Sequence, residues 1–267
     1  MLYAIIEYKY IFLKIRGIFE KMNIELLDMS RLTLLAKNYI RNGQFASSLA
    51  NSSSVDKRLF RFAPERVGEV PYATESCEEW LEELKRRGAT DFKLIMPDEL
   101  DSFEKLDRVN GIPCCMIAFF EDRATSWNKL WSLNPTNGKW DVQMVEIPIA
   151  GMQEKPVFQD VSEGMATLLE RIRALAQKLR LSEFSFRFAA ALKALQADFV
   201  AADIIEPANR RLLQSATEAY VFGGRGSWTD TAKSAAAEKG LSQEYESLTK
   251  DLYRGIALSI MYAVNEW

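Results

Sequence analysis

The hydrophobic period changes from that of strands to that of helices near residue 157, and that change limits the fold more than any other feature. Trp127, Lys129, Trp131 and Leu133 alternate with Ser126, Asn128, Leu130 and Ser132. Beyond the stretch N-P-T-N-G, Trp140, Val142 and Met144 alternate with Asp141, Gln143 and Val145. A period of two belongs to strands, and a proline followed by Asn-Gly supplies the backbone angles of a tight connection. The spacing predicts a β-hairpin. From about residue 157 the apolar spacing becomes four and three: Val161, Met165, Leu168, Ile172, Leu175 and Leu179. That is a helical seam. Pro207 opens a further helix at an N1-like position, and Tyr245, Leu248, Leu252, Ile256, Ile260 and Ala263 line one side of a last helix over 242–265.

Upstream of the hairpin, Phe92, Leu94 and Met96 alternate, and "IPCCMIAFF" (112–120) is an unbroken apolar run, as in a strand covered on both faces. Ser76 followed by Glu79 has capping-box spacing and opens a helix over 76–87, with Trp80, Leu81 and Leu84 inward and Gly88 as the stop. Residues 24–42 read as a helix ended by Gly43, and the Ser/Asn-rich segment 47–57 reads as a mobile loop. The expected class is α+β. A small mixed or antiparallel sheet with a Trp-rich hairpin lies in an α+β portion over 22–150. An antiparallel helical portion over 151–267 follows. The connecting "AGMQEKP" is too short to be a free linker.

Residues 1–21 form a third region. "MLYAIIEYKYIFLKIRGIFEK" is apolar, but Glu7, Lys9, Lys14 and Arg16 interrupt it. It fits neither a signal peptide nor a transmembrane helix, and reads as an N-terminal extension or peripheral element.

Composition removes several chemistries. The 267-residue chain contains no histidine, which excludes Ser-His-Asp and Cys-His nucleophilic systems and His-containing zinc sites. Three cysteines cannot build a four-cysteine site, so no metal site is expected, and no cofactor signature is present. Cys77, Cys114 and Cys115 read as reduced thiols in a cytoplasmic protein, since vicinal cysteines pair only with strain. The net charge of −3 disfavours broad nucleic-acid binding.

Two stretches remain as candidate sites. Arg171, Arg173, Lys178, Arg180, Arg187 and Lys193 are opposed only by Glu183 between 171 and 193. On a continuous helix, Arg173, Arg180 and Arg187 form one stripe for an acidic partner; a break near Ser182 scatters them. The second is "VFGGRGSWTD" (221–230). Gly223, Gly224 and Gly226 permit positive φ and close approach of a ligand, Arg225 supplies charge, and Trp228 offers a stacking plane. Thr229 or Asp230 caps the following helix, whose amides point back at Ser227 and the loop. These are the ingredients of an anion-binding nest; the alternative is an interhelical turn in which Trp228 plugs the core. No Lys-Ser/Thr follows the glycines, so the loop is not a Walker motif.

The loop, with the terminal helix "EYESLTKDLYRGIALSIMYAVNEW", resembles a family of uncharacterised bacterial proteins that carry Phe-Gly-Gly-x-Gly-Ser-Trp-x-Asp shortly before the C-terminus. The resemblance implies a bacterial cytosolic protein and brings no activity. The expectation for function is a non-enzymatic protein-interaction protein, of immunity or accessory type. The alternative is an enzyme or sensor that binds a phosphorylated or carboxylated small molecule at loop 223–230. Oligomeric state does not follow from the sequence.

Overall fold

The computed structural model describes residues 24–66, 68–97, 114–151, 154–197, 204–223 and 226–267. The N-terminal extension expected over 1–21 lies outside them, as do Gly224 and Arg225. The protein is α+β: six strands form one mixed sheet, and helices pack on it and on one another.

Helix α1 spans 24–42 and is stopped by Gly43 at φ +69°. The segment expected to be a mobile loop instead holds a single helical turn, α2 (Ser47–Ala50), and the start of strand β1 (Val55–Arg61). The reason is tertiary. Val55 and Phe60 are buried, and β1 gains a ladder by running parallel to a later strand, which a local reading of Ser and Asn residues does not reveal. Strand β2 (Ala73–Thr74) and helix α3 (Cys77–Arg86) follow.

Ser76 caps α3, its Oγ accepting the Glu79 amide at 3.3 Å. Only half of the capping box forms, because Glu79 Oε2 accepts the Thr74 hydroxyl at 2.6 Å. Thr74 Oγ1 in turn accepts the Ser76 amide at 3.0 Å, so the orphan donor is still satisfied.

Strands β3 (Asp91–Ile95), β4 (Cys115–Phe119), β5 (Ala124–Leu133) and β6 (Trp140–Ile149) complete the sheet, in the order β2-β1-β6-β5-β4-β3. Among the described residues only β1 and β6 run parallel. The hairpin is β5–β6, with Lys129 opposite Met144 and Trp131 opposite Val142. Its turn is closed by Asn134 and Lys139, with Gly138 at φ +71°.

The tryptophan face is covered, not an open platform. Trp127 is fully buried and meets Trp80 of α3 edge-on at 5.5 Å, while Trp80 stacks on Phe60 at 4.5 Å. Strand β4 is buried on both sides: Met116 and Ala118 join the main core, and Ile117 and Phe119 join a second cluster with Ala124.

The helical portion comprises α4 (Ser162–Lys178), α5 (Ser182–Leu195), α6 (Pro207–Ala219), α7 (Trp228–Glu238) and α8 (Ser242–Asn265). The α4 seam packs on α5 and α8. Helix α8 also reaches the sheet. Asn265 presents its amide to edge strand β3, accepting from Leu94 N and donating to Leu94 O, both at 2.8 Å. One side chain thereby pairs an edge-strand peptide that would otherwise stay open. Lys37 donates to Asn265 O at 2.9 Å and Lys93 to Glu266 at 2.8 Å, setting two cations at the negative end of the α8 dipole. The main core runs without interruption from Leu26 of α1 through the sheet to Val264 of α8.

Candidate functional site

The described residues on either side of Gly224 and Arg225 lead from α6 into α7 through a turn. Tyr220, Val221 and Phe222 leave α6 in the interior; Phe222 packs edge-on against Tyr253 at 5.4 Å. Gly223 and Gly226 take φ of +83° and +77°, as the sequence requires for so sharp a reversal. The Trp228 amide then donates to Val221 O at 3.0 Å, closing the turn across the glycines.

Helix α7 starts earlier than expected. Ser227, not Thr229 or Asp230, is the N-cap: its Oγ accepts the Asp230 amide at 3.2 Å. Asp230, three residues on, accepts the amide of Gly226, one residue before the cap, at 2.8 Å. The amides of Gly226, Trp228 and Asp230 are thus consumed internally. The Trp228 indole lies at 0% exposure among Phe184, Phe188 and Tyr245, and its Nε1 donates to Thr249 Oγ1 at 2.8 Å. It offers no exposed stacking plane. A tryptophan beside glycines on an interhelical connection is drawn inward because burying so large a ring outweighs leaving it on a turn.

The arginine stripe is divided by the chain itself. Helix α4 ends at Lys178, Arg180 adopts the left-handed conformation at φ 62°, and α5 begins at Ser182. The break brings Arg173 and Arg180 to one open groove with Gln177, Ser182, Ser185 and Phe186. Arg187 is not among the residues lining it. Phe186, also in its lining, is 76% exposed. Among the described residues neither Arg173 nor Arg180 forms an ion pair, whereas neighbouring Lys178 is held by Glu244 at 2.9 Å.

A third constellation escaped the sequence reading. Lys129 lies on the covered face of β5, its Nζ 3.4 Å from Glu25 Oε1 of α1, and donates to Cys114 O at 2.7 Å and to Cys114 Sγ at 3.3 Å. The signal was present: a lysine between Trp127 and Trp131 on the inward-facing set of positions must find an acid inside. Burial raises the Cys114 thiol above its ordinary value even with the Lys129 ammonium beside it. Burial pushes Lys129 down, but Cys114 and Glu25 together carry it above the usual lysine value. A neutral thiol and a charged ammonium make a poor nucleophilic pair, so the cluster is an internal tie between α1 and the sheet.

Among the described residues no group of three or more His, Cys, Asp or Glu could hold a metal ion. No helix among them is long and apolar enough to cross a membrane. All three cysteines are free thiols. Compared with protein-family models, with curated proteins and with solved structures, the chain has no match.

Proposed function

We propose that the chain is a non-enzymatic interaction protein of the cytoplasm, and that it receives an acidic segment of a protein partner at the α4–α5 groove. The observation that carries this reading is the α4–α5 groove itself: a solvent-facing aromatic ring, Phe186, lines it together with Arg173 and Arg180, which form no ion pair among the described residues, on a chain whose net charge is −3. Exposed aromatic and arginine side chains are the usual anchors of protein interfaces. A local cationic patch on a net acidic chain selects for carboxylates by complementarity. The three reduced thiols support the compartment.

The glycine loop supports the anion-binding alternative less well, since three of its amides and its indole are already occupied. The test uses a fluorescein-labelled peptide with a leucine flanked by aspartates and glutamates. Anisotropy is expected to report binding that weakens with salt and falls about tenfold in Phe186→Ser and in Arg173→Glu/Arg180→Glu. Equal binding by wild type and both variants overturns the reading.

A further inference from the structure

Cys114 and Lys129 are set against each other by strand register. Met116 of β4 faces Trp127 of β5 in an antiparallel ladder, and continuing that register by two residues brings Cys114 opposite Lys129. The Lys129 Nζ stands 3.3 Å from the Cys114 Sγ, within the roughly 3–3.5 Å at which two atoms are poised to react. Glu25 Oε1 lies 3.4 Å from the same nitrogen, so a proton acceptor is in place. Cys114 keeps 9% exposure, and the way in for a small neutral oxidant is short.

Tyr220, just past α6, belongs to the same buried cluster. Among the described residues its hydroxyl has no hydrogen-bond partner. Burial first, then Tyr253, Cys114 and Glu25, hold its pKa well above the ordinary value, so it keeps a proton to donate. At rest the cysteine and lysine are inert, because the thiol is neutral and the amine charged. Oxidation reverses their roles: a sulfenic sulfur is an electrophile, and a lysine that has shed its proton is a nucleophile.

We infer that hydrogen peroxide converts Cys114 and Lys129 into a sulfenamide, a reversible S–N cross-link between β5 and the residue that leads into β4. The Cys114 sulfur first takes one oxygen from the peroxide. Sulfur is oxidised by two electrons to the sulfenic acid, and the peroxide is reduced to water. The Lys129 ammonium gives one proton to the Glu25 carboxylate. The freed nitrogen pair forms the bond to sulfur and the S–O bond breaks. The departing hydroxide takes a second proton from nitrogen and leaves as water. A small thiol in excess reverses the step, restoring thiol and amine and forming its own disulfide.

The other two cysteines are differently placed. Cys115 points to the opposite face of the sheet, where it packs on Ile117 and Phe119. Cys77 neighbours Arg58, whose guanidinium does not give up a proton.

The test exposes the full chain, first reduced, to hydrogen peroxide for several hours. After quenching and alkylation under denaturing conditions, mass spectrometry is expected to find a species lighter than the reduced chain by two hydrogens. Its proteolytic map is expected to join the peptides that carry Cys114 and Lys129, and dithiothreitol is expected to separate them. Cys115→Ser is expected to bridge as wild type does, which distinguishes the product from a Cys114–Cys115 disulfide of equal mass. Lys129→Arg keeps a cation opposite Glu25 and is expected to give no bridge; its Cys114 is trapped by dimedone as the sulfenic acid. Melting curves establish that both variants are folded, and the wild-type map decides the matter without them. Wild-type Cys114 that stays unreacted, or that stops at sulfenic or sulfinic acid with no joined peptides, overturns the inference. So does a two-hydrogen loss that disappears in Cys115→Ser.

Discussion

The indole of Trp228 donates to the hydroxyl of Thr249 at 2.8 Å inside the helical layer, so the first residue of α7 is tied to the N-terminal half of α8. Around this bond Phe184 and Phe188 of α5 meet the ring edge-on at 5.4 and 5.6 Å. One side chain therefore joins three helices.

Thr249→Val keeps the shape and leaves the indole N–H without its acceptor, an expected loss of about 1–3 kcal/mol. Trp228→Ala opens a cavity as well, with an expected loss of about 3–5 kcal/mol. Urea unfolding followed by far-UV circular dichroism measures both. A loss near zero in Trp228→Ala contradicts the buried setting of the ring.

The Lys129–Glu25 contact predicts strong non-additivity. Lys129→Met leaves Glu25 buried opposite an apolar side chain, with an expected loss of about 3–5 kcal/mol. Adding Glu25→Leu removes the acid that Lys129 faced and is expected to recover most of the loss. A double-mutant cycle in chemical denaturation checks this; simple additivity of the two single losses rules out coupling through the pair.

Lys37 makes stability depend on pH in the alkaline range. Its side chain has 0% exposure, and burial lowers its pKa to about 8 although Asp91 at 3.3 Å opposes the shift; Lys93 and Arg41 lower it further. Between about pH 8 and the ordinary lysine value, the unfolded chain binds a proton that the folded chain has released. Stability from this group therefore rises with pH through that window, and its penalty is fully present below it. The difference in unfolding free energy between wild type and Lys37→Met isolates the contribution. It is expected to shift in favour of wild type from pH 8 to pH 10, and a flat difference refutes the assignment.

The thiols are expected to be slow. Burial raises the pKa of Cys77, Cys114 and Cys115 alike, so the reactive thiolate is scarce at neutral pH. Titration with a chromogenic disulfide reagent is expected to give little reaction in the native protein and three equivalents after denaturation. A fast equivalent in the native state overturns this, and assigns a reactive cysteine to the fold.

Much of the secondary structure was legible because it is written locally. The alternation at 126–145, with Pro and Asn-Gly between its halves, admits little but a hairpin, and β5–β6 is one. The helical spacings from 161 onward likewise correspond to α4 through α8. What was not legible depends on contacts distant in sequence. Strand β1 exists because β6, some 85 residues later, offers it a parallel edge. Lys129 was visible on the inward face of its strand, but its acid is Glu25 on α1, which no spacing rule reaches.

The candidate sites divide along the same line. From the residues alone, the glycines required a sharp turn and the arginines a cationic stretch. Both follow from steric freedom and charge, which each residue carries with it. Whether Trp228 faced a ligand or the core, and whether Arg173 and Arg180 met at one groove, depended on where α5 and α8 came to lie. Burial and convergence are properties of neighbours, and only the folded chain chooses those.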